Sequence, residues 1–239
     1  MMAGIIDFHS HILPGIDDGS RSVEESIALL QKEAEQGITH VVATPHFYPQ
    51  YDTPENFLRR RADAEAVLRE EMEKYTSLPK LSIGAEVYYF HGISDSEAIL
   101  PLTIDQKRCI LIEMPTAPWT DKIFRELEGL YTKQNLLPVV AHVERYLGRF
   151  RTYGIPERLA ELPVLVQANA EFFLEKSTES RALHMLQKDQ IQLLGSDCHN
   201  LTSRSPNLKD ALAVIEQRLG KRPIQAICEW QRQVFAEKM

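Results

Sequence analysis

The stretch Gly4-Ile5-Ile6-Asp7-Phe8-His9-Ser10-His11-Ile12-Leu13-Pro14-Gly15-Ile16-Asp17-Asp18-Gly19 decides the fold. Its first half reads as a short apolar strand, and its second half as a Pro-Gly and Asp-Asp-Gly loop. Side chains alternate along a strand with a period of two, so His9 and His11 point to one face about 7 Å apart while Ser10 faces the other way. Two imidazoles so placed can share one cation. Asp7 has the same parity and belongs on the same face, and Asp17 and Asp18 follow where the loop can fold back over it. This reads as one wall of a metal cluster.

The pattern returns along the chain. Ser22 and Glu25 form a capping box ahead of Ile27, Leu29, Leu30 and Ala34 at helical spacing, and Gly37 stops that helix. A second strand, Ile38 to Thr44, delivers Pro45-His46. Pro54 opens a long helix to about Tyr75 that carries Arg59, Arg60 and Arg61 on what looks like a solvated face. A third strand, Leu81 to Val87, brings Glu86, and a fourth, Cys109 to Met114, brings Glu113. After a helix over Thr120 to Gln134, a fifth strand, Leu137 to Ala141, ends in His142-Val143-Glu144-Arg145, followed by a basic turn with Arg149 and Arg151. Pro156 begins a short helix. Val164 to Ala168 ends in Asn169 and Glu171, and Ile191 to Gly195 ends in Ser196-Asp197-Cys198-His199, with Arg204 just beyond. Helices at about 207–219 and 223–237 finish the chain.

Seven strand-helix units with apolar, β-branched strands and no hairpin signals predict an α/β fold, a distorted seven-stranded parallel (β/α) barrel with helices outside; an open doubly wound sheet is the alternative. The 239 residues suit one large domain or two small ones, and the lack of any linker or low-complexity segment selects a single domain spanning 1–239. A net charge of -7 argues against a nucleic-acid binder. Cys109, Cys198 and Cys228 lie far apart, suggesting neither a disulfide framework nor a zinc knuckle. With no basic-then-apolar leader and no apolar run of membrane-spanning length, the expected setting is the reduced cytoplasm.

In a parallel barrel the C-terminal strand ends converge on one face, where barrel enzymes build their sites. Eight side chains at strand ends would meet there, His9, His11, His46, Glu86, Glu113, His142, Asp197 and His199, with Asp17 and Asp18 in the loop able to fold over them. Imidazole and carboxylate without thiolate suit Mn²⁺, Fe²⁺, Zn²⁺ or Mg²⁺. So many donors exceed the need of one ion, and a shared carboxylate such as Glu86 can bridge two, so two or three ions are expected. Closely spaced divalent ions lower the pKa of a bridging water to give hydroxide at neutral pH, and they neutralise a phosphoryl group attacked in line. Arg145 and Arg204 follow ligand positions closely and can clamp the remaining phosphate oxygens. Together these residues point to phosphate-ester hydrolysis. Tyr48, Tyr51, Tyr88, Tyr89 and Trp119 fall in strand-end loops and either line the mouth or pack those loops.

His9-Ser10-His11, Gly15-Ile16-Asp17-Asp18-Gly19, Thr44-Pro45-His46, Gly84-Ala85-Glu86, Glu113, Ala141-His142-Val143-Glu144-Arg145-Tyr146 and Gly195-Ser196-Asp197-Cys198-His199-Asn200 resemble the polymerase-and-histidinol-phosphatase (PHP) superfamily. More narrowly, they resemble the manganese-dependent protein tyrosine phosphatases of bacterial capsule and exopolysaccharide loci. The likeness spans residues 5 to about 219, and Asp-Asp-Gly with His-x-Glu-Arg-Tyr is its specific part. What the resemblance implies is a trinuclear Mn²⁺ site. One ion would be held by His9, His11, Glu86 and Asp197, a second would lie among Glu86, Glu113 and His142, and a third would use Asp18, His46 and His199. It also implies phosphate-binding roles for Arg145 and Arg204, and as substrate the phosphotyrosine-rich tail of a membrane-associated tyrosine kinase of polysaccharide export.

Rival readings differ in what they need. Cys198 and Arg204 stand in the Cys-x5-Arg spacing of cysteine-dependent tyrosine phosphatases, but the intervening His-Asn-Leu-Thr-Ser lacks the glycine of a phosphate-cradling loop. A small-molecule phosphatase acting on histidinol phosphate shares the metal chemistry. A nuclease or proofreading domain conflicts with the acidic charge, and a non-catalytic kinase-binding barrel would have lost ligands that are all present here.

Overall fold

Strand β1 (Ile5–Ser10) is buried from Asp7 onward, and the chain leaves it through the Pro14-Gly15 loop into helix α1 (Val23–Glu35). The structure, a computed structural model, describes residues 4–148 and 154–236; Arg149 and Arg151 lie outside the described residues. The expected cap is present: the Ser22 side chain accepts from the Glu25 N–H at 3.3 Å, and the Glu25 carboxylate reaches back to the Arg21 N–H at 2.9 Å. Ile27, Leu29 and Leu30 form the face that α1 buries against the sheet side of the core.

The remaining strands follow as β2 (Ile38–Ala43), β3 (His46–Phe47), β4 (Lys80–Ile83), β5 (Glu86–Tyr88), β6 (Cys109–Glu113), β7 (Leu137–Val140), β8 (Leu165–Asn169) and β9 (Leu193–Gly195). Every pairing between them is parallel, in the orders β1-β2-β4 and β3-β5-β6-β7-β8-β9. β2 and β3 are one strand interrupted at Thr44-Pro45, and β4 and β5 one strand interrupted at Gly84-Ala85. Hydrogen bonds from Gly84 N–H to the Ala43 carbonyl (2.9 Å) and from Glu86 N–H to the Pro45 carbonyl (3.0 Å) carry the pairing across both interruptions. Counted as strand lines there are therefore seven, in sequence order. The ring closes where His11 N–H donates to the Cys198 carbonyl (2.9 Å) and Asp197 N–H to the His9 carbonyl (2.8 Å).

Two apolar clusters divide the interior. Phe8, Val42, Leu111, Val139, Leu165 and Leu193 fill the barrel itself, while a larger cluster lies between the barrel wall and the helices. The base of the barrel is stopped by the last helix, α8 (Arg222–Ala236), which follows α7 (Leu208–Leu219). Val234 enters the inner cluster with Trp230 and Phe235 packed on it, and the Gln231 side chain bonds both the N–H and the carbonyl of Ile6 at 3.2 and 2.7 Å.

Two expectations are corrected by the fold. The helix opened by Pro54 ends at Met72, three residues early. Its arginines are not all on a solvated face, because Arg61 is buried and bonds the carbonyls of Gly84 and Pro101. Two further helices, Glu171–Leu174 and Glu179–Gln187, occupy the segment before β9, and the second buries Ala182, Met185 and Leu186.

Candidate metal centre

All nine donors come together at the C-terminal rim. The Nε2 atoms of His9 and His11 lie 3.1 Å apart, and Glu86 Oε2 lies 3.2 Å from the first, 3.3 Å from the second and 2.9 Å from His46 Nδ1. Asp197 Oδ1 stands 3.6 and 3.3 Å from the same two Nε2 atoms. On one flank, His142 Nε2 approaches Glu86 Oε1 at 2.7 Å and Glu113 Oε1 at 3.8 Å. On the other, Asp18 Oδ1 lies 3.5 Å from His46 Nε2 and 3.4 Å from His199 Nε2. Among these nine residues, three sets have mutually close donor atoms: His9, His11 and Glu86; His46, Glu86 and Glu113; and His11, Asp18, His46 and His199. Glu86 joins the first two sets and His11 joins the first to the third.

The donor set fits cations. Buried polar atoms ordinarily find hydrogen-bond partners, yet Glu113 Oε2 and His199 Nε2 have none, and Glu86 Oε2 and His46 Nδ1, although 2.9 Å apart, are not aligned for a hydrogen bond. Elsewhere the imidazoles are held from behind. His9 Nδ1 meets Gln167 Oε1 at 3.2 Å, His11 Nδ1 meets Asp17 Oδ2 at 2.8 Å, His142 Nδ1 meets the Tyr146 hydroxyl at 3.1 Å, and His199 Nδ1 meets the Asp197 carbonyl at 2.9 Å. In each case a proton on Nδ1 leaves the Nε2 lone pair aimed into the cluster, the arrangement that orients ligating histidines.

Electrostatics agree. Burial alone would raise the Glu86 and Asp197 carboxyls, but the surrounding imidazoles, His9 foremost, hold both well below the usual carboxylate range. Burial would push His11 down, yet Asp17, Asp197 and Glu86 hold it well above its ordinary value. By contrast burial lowers His142, and burial with the neighbouring His11 takes His199 to about 4.

Local backbone geometry serves the site. His142 and Asp197 both adopt left-handed conformations, with φ of 32° and 53°, at the ends of β7 and β9; such strain in non-glycine residues persists where the surroundings over-determine it. Gly195 lets β9 press against the first histidine, since a Cβ there would lie 2.5 Å from His9 Cβ and 3.0 Å from His9 N. Asp197 is the hub of the rim: its Oδ2 accepts from Arg145 (2.7 Å), Arg204 (2.8 Å) and Asn169 Nδ2 (2.9 Å), while Oδ1 faces the histidines. Both guanidinium groups are a little over one-third exposed and border a cavity of about 480 Å³ with Glu144, Asn169 and Glu171. Burial pushes Glu144 up to about 8, against the Asn169 N–H that its carboxyl accepts.

Several sequence expectations change here. Asp7 does not join His9 and His11, because the pairing of β1 with β2 shifts register between Asp7 and Ser10 and turns the carboxylate away. It accepts instead from Ser196 N–H (2.9 Å), Ser196 Oγ (2.5 Å) and His9 N–H (3.2 Å), next to Glu33 and Cys198. Cys198 is fully buried on that side, and burial with Glu33 and Asp7 nearby raises its thiol well above the ordinary value, so it stays a thiol. Of the aromatic residues, Tyr89 bonds Glu126 from a buried position, and Trp119 packs on Tyr146 and Phe124; these two pack the loops. Gln167 was not among the expected site residues. Its signal was a polar residue inside the apolar run Leu165-Val166-Gln167-Ala168.

The family described as capsular polysaccharide synthesis, CpsB/CapC, matches residues 5–233. This chain belongs to the CpsB/CapC family. Among relatives of this CpsB/CapC protein, the tyrosine-protein phosphatase CpsB of Streptococcus pneumoniae is 32% identical over 231 residues, covering 90% of this chain and 91% of that protein. The tyrosine-protein phosphatase YwqE of Bacillus subtilis is 28% identical over 227 residues, covering 90% and 85%. Crystal structures of YwqE and of CpsB from those two organisms, described as metal-dependent tyrosine phosphatases, include a chain that superposes with a TM-score of 0.86 at 23% identity, over 98% of this chain and 96% of that one. The barrel of this CpsB/CapC member is thus that family's fold.

Proposed function

We propose that this chain is a metal-dependent protein tyrosine phosphatase of capsular polysaccharide synthesis, working in the cytoplasm as a single catalytic domain. Its substrate in this reading is the phosphotyrosine-rich tail of a polysaccharide-export tyrosine kinase. The observation that carries it is the convergence of imidazole and carboxylate donors with unpartnered buried atoms, rimmed by two arginines.

His9, His11, Glu86 and Asp197 would hold one ion; Glu86, Glu113 and His142 a second; and Asp18, His46 and His199 a third. Mn²⁺ is the ion favoured, with Fe²⁺, Zn²⁺ and Mg²⁺ compatible with the same donors. When bound, such ions acidify water and offset the negative charge of a phosphoryl group. The chain's own part is positioning. Asp197 Oδ2 fixes both Arg145 and Arg204, so that their outward N–H groups can donate to non-bridging phosphate oxygens. Those two contacts orient the ester against the donor cluster, which is the main contribution a protein makes to phosphoryl transfer. A tyrosyl phenol, with a pKa of about 10, leaves without strong need of a general acid. Histidinol-phosphate hydrolysis would use the same residues, and family membership favours the protein substrate.

The test is hydrolysis of a phosphotyrosyl peptide, a phosphoseryl peptide and histidinol phosphate, across Mn²⁺, Zn²⁺, Mg²⁺ and chelator, with metal content measured on the same samples. Turnover of the phosphotyrosyl peptide that chelation abolishes is expected. Metal-free protein with full activity, or a preference for histidinol phosphate, overturns the reading. His142→Ala and Asp197→Ala should lose metal, Cys198→Ser should keep activity, and Arg145→Ala should keep metal while kcat/KM falls about 10- to 100-fold, as expected for a lost charge-assisted hydrogen bond.

A further inference from the structure

Beside the donor cluster, on the flank of Asp18 and His46 and away from the arginines, lies a second cavity of about 450 Å³ lined by Ile16, Asp18, His46, Tyr48, Tyr51 and Arg60. That size falls in the range of small-ligand pockets, roughly 300–1,000 Å³. Its aromatic wall is built outward from the cluster. The Tyr48 ring stacks on His46 with centroids 5.1 Å apart and planes at 28°, Tyr88 packs 5.6 Å from Tyr48, and Tyr51 meets Tyr48 edge-on at 6.4 Å.

Folding does not explain Tyr51, which is 84% exposed. Its loop is nonetheless pinned. Tyr51 N–H and Asp52 N–H both donate to the Tyr48 carbonyl at 3.0 and 3.1 Å. Arg60 then clamps Asp52 (2.6 Å) while donating to the Ile16 carbonyl (2.9 Å), tying the tyrosine loop to the Asp-Asp-Gly loop. A fixed, exposed aromatic ring beside a polar reaction centre presents a surface for another ring, since aromatic pairs settle at centroid separations of about 4.5–7 Å.

We infer that Tyr48 and Tyr51, with Tyr88 packed against Tyr48, receive the phenyl ring of an aryl phosphate monoester and so set the preference of this site for aryl over alkyl phosphates. The inference rests on the phosphatase reading above and adds to it the residues that recognise the leaving group. The phosphate lies on the donor cluster under Arg145 and Arg204, and the ring extends past His46 into the aromatic cavity. Tyr48 forms its floor, supported by Tyr88, and Tyr51 closes over its outer edge. An alkyl phosphate reaches the same anion contacts but finds no ring to stack on.

The test uses metal-loaded protein and two non-hydrolysable probes, phenylphosphonate and methylphosphonate, with affinities measured by calorimetry. Wild-type protein should bind the phenyl compound about tenfold more tightly. Tyr51→Ala and Tyr88→Leu should each reduce that ratio two- to fivefold, within the yield of an aromatic contact. Tyr51→Phe should retain it, and Tyr75→Ala, on an exposed tyrosine in the turn after helix Pro54–Met72, should leave it unaltered. A wild-type ratio near one, or a ratio that survives Tyr51→Ala and Tyr88→Leu together, overturns the inference even if phosphotyrosyl peptide is hydrolysed. A ratio that depends on these tyrosines in protein that does not turn over phosphotyrosyl peptide upholds the aryl site and overturns the phosphatase reading alone.

Discussion

Gln167 shows how much one neutral side chain can organise. From the middle of β8 its Oε1 accepts the His142 N–H at 2.7 Å and faces His9 Nδ1 at 3.2 Å, while its Nε2 donates to Asn169 Oδ1 at 2.9 Å. Asn169 in turn bonds Asp197, so one amide links β1, β7 and β9 across the barrel mouth. Gln167→Leu should leave the buried His142 N–H without a partner, at a cost of about 1–3 kcal/mol. It also releases the His9 ring, and metal affinity should drop about 10- to 100-fold, the usual penalty for losing a group behind a ligand. Metal titration of the purified variant, with denaturant unfolding of the metal-free form, separates the two effects. Unchanged affinity would show that His9 is oriented by its other neighbours.

At the level of elements, the interruptions in β2/β3 and β4/β5 are what bring His46 and Glu86 side by side, paired in register within the short β3-β5 ladder. Arg61 keeps the second interruption in place. Its guanidinium bonds the Gly84 carbonyl at the break in the ladder at 2.8 Å and the Pro101 carbonyl of the 3-10 turn Glu97–Leu102 at 3.0 Å, tying the interruption to that turn. Arg61→Leu should destabilise the fold by about 1–3 kcal/mol in urea unfolding, since it strands the buried Gly84 carbonyl. Arg59→Leu, two positions earlier and 68% exposed, should stay within about 0.5 kcal/mol. Equal effects would place Arg61 with the surface charges, where its charge-rich sequence context suggested it belonged.

On the scale of the whole molecule, β1 and β9 must meet for the site to exist, and ion binding at their junction should therefore report on global stability. A ligand at 100-fold its Kd adds about 2.7 kcal/mol to the folded state, which for a chain of this size moves Tm by roughly 5–10 °C. Chelation should lower Tm by that amount and re-addition of Mn²⁺ should restore it; a Tm indifferent to both would detach the cluster from cation binding. Among the described residues no helix is long and apolar enough to cross a membrane.

Legibility followed the range of the interactions. Most donors sit at strand ends, their spacing is local, and their chemical type is written in the residue itself, so the seven strand lines and eight of the donors were readable from alternation, turn residues and the recurrence of His, Asp and Glu, while Asp18, in the loop after β1, entered through the family resemblance. The register shift in β1 that turns Asp7 away, the approach of β9 that buries Cys198, the use of Arg61 as an internal clamp and of Gln167 as a brace arise from contacts between residues far apart in the chain. Alternation carries no record of such contacts, because a polar side chain has the same local pattern whether it meets water, a carbonyl or an imidazole. Chain chemistry by itself determined which atoms were available to hold charge; only closure of the barrel decided which of them share a centre, since burial among one another is what leaves their lone pairs without water.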